Sequence, residues 1–543
     1  MSVAISGYRE HRLTRLLVML CLATMILSGS ALGQVDTRLV AAVQEQNTAL
    51  VQHLLGERVD VNAARADGVT ALLWAAHWDD HDTVDRLLAA GADVNAAEDQ
   101  GVTSLARASE NASATMVSKL LAAGANPNAA QTNGVTPLIV AAGTGNVAVV
   151  NGLLAAGAKV NARIDITGQT ALMWATAELH GDVMAALIAG GANVQAQSEL
   201  GFTPLLFSTR NNDIESARIL IAAGADVNQP GSDGTHPVAL AVVSGHGDFA
   251  RFLLDGGADP DGTMHGVSAL HAAAGNVDMW LRDWLRTRQI GTSLAGRTTA
   301  GLSQSERLAI VKTLIERGAD PNARVDHSAT AEAWVSGRNG AREVQSIGTG
   351  NLRGVTPLWV ASYAANRSAR GPQGGAAGSE SDPSEVVRVL LDSGADPTMT
   401  TADGTTPLMV AAGIGHATFR KGLQQSPPSP SAEAAVRMLV EAGTDVNGTN
   451  EAGFSALHGA AFRGLNEVIE YLVAQGADID AQDYRERTAY RIAQGTQQSF
   501  YVQEWPGTAD LLIALGADQT IGLGGRDLER ELGRRLTDET SKR

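Results

Sequence analysis

Apolar residues recur along the chain in two alternating short groups, each with the spacing of one helix face. Residues 138–142 form one apolar group, and residues 147–155 place apolar side chains three and four positions apart. Helices this short do not persist alone in water, and neither hides its apolar side within the pair. The pattern therefore predicts pairs of short helices that bury their apolar sides against neighbouring pairs.

These pairs repeat at a nearly constant interval. The glycine before each first helix stands at positions 68, 101, 134, 168, 201 and 234, so the interval is 33 or 34 residues. The segment LLAAGADVN, which begins at Leu87, returns in related form from Leu120, Leu153, Leu187, Leu220 and Leu253. Such regularity, which dominates residues 36–518, indicates a stacked array of about twelve units.

Local chemistry explains each unit. Asn133-Gly134 is a tight-turn pair, because glycine accepts a positive φ without strain. Thr136 is placed to cap the first helix, and Pro137 suits its first position. Gly157 is expected to end the second helix as a left-handed cap.

The helix starts resemble those of the ankyrin repeat family, whose signature is T-P-L-H-x-A. The matching segments are Thr136-Pro137-Leu138, Thr203-Pro204-Leu205, Thr356-Pro357-Leu358 and Thr406-Pro407-Leu408. The chain departs from the family at the histidine position. Histidine stands there only at His271 and His458, and most other units have an apolar residue in its place. The resemblance implies an all-α ankyrin-repeat solenoid of helix-turn-helix units with β-turn fingers.

Breaks in the repeat interval locate insertions. We expect an array over 34–518 with a regular block at 67–262 and a charged carboxyl-terminal tail at 519–543. The predicted insertions are residues 276–306, 327–352, 366–384 and 420–431. The first insertion has an amphipathic pattern that includes Trp280 and Trp284, so it predicts an extra helix.

The amino terminus has the features of a secretory signal. Arg9, Arg12 and Arg15 precede an apolar run at 16–27, and small residues follow to Gly33. The run is shorter than the ~20 residues of a transmembrane helix. We expect cleavage after residue 33 and a secreted or periplasmic protein without a membrane span, although an uncleaved anchor remains an alternative.

The composition of the chain argues against several classes of function. The chain has 58 acidic and 41 basic residues, a net charge of −17, which disfavours nucleic-acid binding because phosphates would be repelled. Cys21 is the single cysteine, so an intramolecular disulfide or a cysteine-based zinc site is excluded.

Candidate catalytic and metal-binding patterns are weak. His77 and His81 stand four apart, but they flank a predicted loop, where the spacing does not place both on one helix face. Asp259 belongs to a recurring Gly-Ala-Asp turn, which favours a structural role over calcium binding. We therefore expect no catalytic residue, cofactor or metal.

By resemblance, ankyrin arrays bind proteins through their turn tips and the exposed ends of their first helices. The aromatic, arginine and neighbouring residues at those positions are the candidate contacts with an unidentified protein partner: His77, Trp78, Phe202, Arg210, Asn211, Phe462 and Arg463. We expect a monomeric, non-catalytic scaffold. The alternatives are a secreted effector or surface factor that acts on another cell, and an enzyme whose site is built by insertions within residues 276–353.

Overall fold

Paired helices make up most of the computed structural model, which describes residues 35–277, 280–281, 302–327, 351–366, 382–415, 428–498 and 501–522. Within these ranges lie 24 helices, which follow one another as twelve pairs, and two short hairpins. The predicted all-α solenoid of about twelve units is confirmed. The chain divides into two compact units, with the boundary between Ala225 and Asp226.

Unit 1 contains six of these pairs. We call the first helix of each pair the inner helix and the second the outer helix. The helices are α1 (Arg38–Gln44), α2 (Thr48–Gly56), α3 (Ala71–His77), α4 (His81–Ala89), α5 (Ser104–Glu110), α6 (Ala114–Ala122), α7 (Pro137–Thr144), α8 (Val147–Ala155), α9 (Ala171–Ala177), α10 (Gly181–Ala189), α11 (Pro204–Asn211) and α12 (Ile214–Ala222).

Unit 2 contains the other six pairs. Its helices are α13 (Pro237–Val243), α14 (Gly247–Asp255), α15 (Ala269–Ala274), α16 (Gln304–Glu316), α17 (Pro357–Ala365), α18 (Ser384–Asp392), α19 (Pro407–Ala412), α20 (Pro430–Glu441), α21 (Ala456–Arg463), α22 (Asn466–Ala474), α23 (Ala489–Gln494) and α24 (Pro506–Ala514). Two antiparallel hairpins accompany them. The first pairs β1 (Thr263–Met264) with β2 (Val267–Ser268), and the second pairs β3 (Thr496–Gln498) with β4 (Tyr501–Gln503).

Threonine caps the amino end of most inner helices. The Thr136 hydroxyl accepts a hydrogen bond from the Ile139 amide at 3.4 Å, and Pro137 takes the first helical position. This cap occupies one of the amides that a helix start leaves without a partner. The same threonine cap is formed by Thr70, Thr103, Thr170, Thr203, Thr356, Thr406 and Thr488.

The core lies between successive pairs. In the fourth pair, Leu138 and Ile139 of the inner helix and Val149 and Leu153 of the outer helix are buried. Inner helices pack on neighbouring inner helices, and outer helices pack on neighbouring outer helices. Apolar residues also fill most of the positions where the family signature has histidine, and these are buried: Leu73, Ile139, Met173, Leu206, Trp359 and Met409.

The two histidines that remain at this position join successive pairs. His271 Nε2 lies 3.1 Å from the carbonyl oxygen of Val355, and its Nδ1 lies 2.7 Å from the Ser268 hydroxyl. His458 makes the same arrangement with the carbonyl of Arg487 and the hydroxyl of Ser455. Both rings are buried, so each satisfies its two nitrogens within the stack.

An asparagine ladder runs along the loops that follow the outer helices. Asn95 Nδ2 donates to the carbonyl of Gly124 at 3.1 Å, and its Oδ1 accepts from the Asn126 amide at 2.7 Å. Each such side chain bridges two pairs, because the glycine and the amide belong to the next one. The residues that form both bonds are Asn62, Asn95, Asn128, Asn161, Asn228, Asn322 and Asn447.

Several predicted segments lie wholly or partly outside the described residues. The signal segment at 1–33 and the tail beyond residue 522 lie outside them, as does most of each insertion. Of the predicted insertion helix, Val277, Trp280 and Leu281 are described and buried. The β3–β4 hairpin, which separates the two helices of the last pair, was not predicted from the pattern.

Asp261 interrupts the ladder and gives a stability prediction. Its Oδ1 accepts from the Asp320 amide at 2.8 Å, but a carboxylate has no proton to donate to a carbonyl. Burial, with the nearby charges of Asp259 and Asp320, raises the pKa of Asp261, so its ionised form is disfavoured by folding. We expect Asp261→Asn to raise the free energy of unfolding by about 1 kcal/mol at pH 7, measured by urea denaturation.

The reverse exchange is the matched control. Asn228 donates to Gly257 and accepts from Asp259, so Asn228→Asp is expected to lower the stability by a similar amount. If both variants shift the denaturation midpoint in the same direction, the ladder interpretation is contradicted.

His271 gives a pH prediction. Burial lowers the pKa of His271 from 6.5 to about 4, despite its hydrogen bond to Val355. The unfolded chain therefore takes up a proton below pH 6.5, whereas the folded chain does so only near pH 4. The contribution of neutral, buried His271 to the free energy of unfolding is fully present above pH 6.5. It is lost as the pH drops toward 4, which lowers the free energy of unfolding by up to about 3 kcal/mol.

Urea denaturation at pH 7.5 and pH 5 checks this. The loss of stability at pH 5 is expected to be smaller in His271→Gln than in the wild type, whereas the exposed-site control His53→Gln is expected to keep the wild-type loss. An equal loss in all three proteins would contradict the assignment.

Candidate protein-contact surface

The carboxyl ends of the inner helices form a row in unit 1. Each inner helix begins at a capped turn and ends before the short loop to its outer helix, so equivalent end residues recur from pair to pair. The last helical residue and the residue after it are, in order, Gln44 and Glu45, His77 and Trp78, Glu110 and Asn111, Thr144 and Gly145, Ala177 and Glu178, and Asn211 and Asn212.

Trp78 stands out in this row. Its side chain is a large hydrophobic group of which 43% is exposed. Its ring stacks on Trp74, with centroids 5.9 Å apart and planes at 20°, and the His77 ring meets it edge-on at 4.9 Å. We call these three residues, Trp74, His77 and Trp78, the Trp78 patch.

Neighbouring groups hold the Trp78 patch in place. Asn111 Nδ2 donates to the carbonyls of Ala76 at 3.0 Å and His77 at 2.9 Å, which ties the end of α3 to the next pair. Asp79 follows Trp78 with φ at 56°, a left-handed conformation that turns the chain toward α4. The end of the helix that carries the patch is therefore held against the next pair.

Arginine side chains close to this surface are matched by carboxylates. Arg107 lies 3.3 Å from Glu98 and 3.0 Å from Glu110. Arg65 lies 3.7 Å from Asp67. Arg65 and Arg107 are therefore each already paired with a carboxylate.

Arg210 and Asn211 lie at the other end of the row in unit 1. Asn211 is exposed, and its Nδ2 donates to the carbonyl of Ala177 at 3.1 Å. Arg210 is half-buried, and this burial lowers the pKa of its guanidinium below its ordinary value. The structure brings these two residues together, but three inner helices lie between them and Trp78.

Three predicted contact residues are not on the surface. Phe202 is buried because its ring packs against Phe207, with centroids 5.6 Å apart. Phe462 is buried beside Trp505, whose indole N–H donates to the Phe462 carbonyl at 3.0 Å. Arg463 is buried too, where its Nη2 donates to the carbonyl of Asn366 at 3.3 Å. These three side chains stabilise the stack, and because they are buried they are no longer candidates for contact with a partner.

The structure adds exposed apolar residues that the sequence analysis did not select. Ile166 and Leu200 lie in successive turns of unit 1, and the turns are joined by the Glu199 amide, which donates to the Thr167 carbonyl. In unit 2, Tyr484 is exposed at a turn with the Arg485 guanidinium 5.2 Å from its ring centroid. For Ile166 and Leu200, the position shortly before the turn glycines Gly168 and Gly201 was the signal that could have found them.

The described ranges contain neither a metal-ligand cluster nor a membrane-spanning helix. No cluster of three or more histidine, cysteine, aspartate or glutamate side chains suited to a metal ion occurs there. His77 ends α3 and His81 begins α4, so the two are separated by the loop, and His81 Nε2 faces Asp79 at 3.6 Å. No helix in the described part of the chain is long and apolar enough to cross a membrane.

Comparison with known families identifies the class. The family described as ankyrin repeats (3 copies) matches residues 39–131, 115–198, 138–230, 180–264, 205–285 and 375–483. These matches cover well over half of the chain, and they agree with the twelve helix pairs. The protein belongs to the ankyrin repeat family, whose repeats serve as protein-binding scaffolds.

Two curated relatives are similar over part of the chain. Alpha-latroinsectotoxin-Lt1a of Latrodectus tredecimguttatus is 33% identical over 119 residues, which are 22% of this chain and 7% of the toxin. A transient receptor potential cation channel subfamily A member 1 homolog of Caenorhabditis elegans is 30% identical over 108 residues, 20% of this chain and 8% of the channel protein. The matched region is thus a small fraction of either relative.

Proposed function

We propose that this chain is a non-catalytic scaffold that binds a protein partner through the inner-helix ends and turn tips of unit 1. The observation that carries the proposal is the Trp78 patch, in which a tryptophan remains 43% exposed although its neighbours hold it in a fixed position. A rigid, partly exposed tryptophan is a typical anchor of protein interfaces.

The geometry supports binding rather than a reaction. Equivalent surface positions recur at each pair, so their side chains vary without disturbing the core between pairs. The alternative of an enzyme depends on the insertions within 276–353. In the described part of that segment, His327 lies 3.2 Å from Asp326 and packs edge-on against His265. We therefore favour the scaffold, acting as a monomer without nucleic acid.

Partner capture tests this proposal. Trp78→Ala and Arg210→Ala are each expected to reduce the yield of a partner recovered by the purified chain from its native compartment several-fold, because both remove anchor groups. Their melting temperatures are expected to fall by no more than a few degrees. Arg218→Ala, on the exposed side of α12, is the matched control and is expected to leave the yield unchanged. Unchanged yields for both test variants would remove these residues as anchors.

We also propose that the protein acts outside the cytoplasm, as a secreted or periplasmic protein. The support is the amino-terminal order of three arginines, a short apolar run and small residues up to Gly33. Such a location also suits an effector or surface factor that meets another cell.

Amino-terminal sequencing of the chain from its native source tests this location. The expected first residue is Gln34, with the protein recovered outside the cytoplasm. A chain that begins at Met1 in the cytoplasmic fraction would contradict export, and a chain that begins at Met1 in the membrane fraction would instead favour the uncleaved anchor.

A further inference from the structure

We infer that the Trp78 patch receives an arginine side chain from a basic segment of the partner protein. This inference rests on the proposed function and specifies the chemistry of its partner. It combines three observations: the exposed indole, the exposed acidic residues that follow it and that end the neighbouring inner helix, and the ion pairs of Arg65 and Arg107.

The first observation concerns the ring itself. The Trp78 indole stacks on Trp74, and the His77 ring meets it edge-on, so these two contacts restrain the orientation of the partly exposed ring. Tryptophan is the best aromatic acceptor of a cation over its face. A ring that is already fixed loses little conformational entropy when a partner binds.

The second observation concerns charge. Residues 35–225 contain 19 acidic against 10 basic residues. Asp79 follows Trp78 directly and is exposed, and exposed Glu45 takes the same place at the end of α1, which packs against α3. Arg65 and Arg107 already face carboxylates, so the acidic excess here is open to a positive partner.

These two features together select arginine. Its planar guanidinium stacks on an aromatic face while its N–H groups donate to carboxylates at the rim. An apolar side chain would cover the indole but would leave the neighbouring carboxylates partly desolvated without a counter-charge. A nucleic acid or an anionic lipid surface would be repelled by the same carboxylates.

Binding of defined peptides tests the inference. The probe is a fluorescein-labelled peptide of alternating glycine and arginine, and the comparison peptide carries the uncharged isostere citrulline in place of arginine. Fluorescence anisotropy with the folded chain is expected to show tighter binding of the arginine peptide. Trp78→Ala is expected to weaken binding about 5- to 30-fold, and Trp78→Phe less, because cation–π attraction is weaker on phenylalanine.

Two further variants test the charges. Asp79→Asn and Glu45→Gln are each expected to weaken binding about 2- to 5-fold and to reduce its salt dependence, because each removes one carboxylate at the rim. Asparagine accepts the left-handed conformation of residue 79, so the fold is preserved. Leu179→Ala removes an exposed side chain elsewhere in unit 1 and is expected to leave binding unchanged.

Three results would overturn the inference: equal binding of the arginine and citrulline peptides, an unchanged affinity in Trp78→Ala, or preferential binding of a labelled oligonucleotide. Its failure is distinguishable from that of the proposed function. If Trp78→Ala still loses a captured protein while the arginine peptide does not bind, the scaffold proposal stands and the arginine inference fails. If the arginine peptide binds at Trp78 but no capture depends on this surface, the scaffold proposal fails instead.

Discussion

The burial of apolar side chains between successive helix pairs is the interaction on which this structure depends. Each inner and outer helix is only 6 to 13 residues long, so a single pair has little stability of its own. Residues such as Leu138 and Leu153 are buried only because a neighbouring pair covers them. Because the core lies between pairs, the outward-facing side chains are not needed for packing. Contacts with a partner are therefore made at those outward positions.

Polar bonds then fix how neighbouring pairs are aligned. The asparagine ladder and the two buried histidines add hydrogen bonds between neighbouring pairs, so that apolar contact alone does not set the geometry. Where apolar residues such as Met173 and Trp359 replace the histidine, packing serves in its place. The same stack thus combines non-directional attraction with directional bonds.

Much of this fold could be predicted from the sequence, because its signals are local and repeated. Thr136 and Gly157 mark the ends of a pair by their own backbone chemistry, and the 33-residue period multiplies the signal. The contact surface was less predictable. Phe202 lies in a turn and Phe462 near a helix end, where the pattern predicts exposure. In the structure, Phe207 packs against the first and Trp505 lies beside the second. A local sequence pattern does not predict such contacts. Trp78 remained exposed because no equivalent neighbour covers it.

The asparagine ladder also gives the junctions that it joins the same polarity. Each rung donates to a glycine carbonyl and accepts from an amide of the next pair. A whole unit is therefore interchangeable with its neighbours as far as this coupling is concerned. Recombination that duplicates or deletes one complete period would preserve the junctions, which provides a simple evolutionary route to arrays of different lengths.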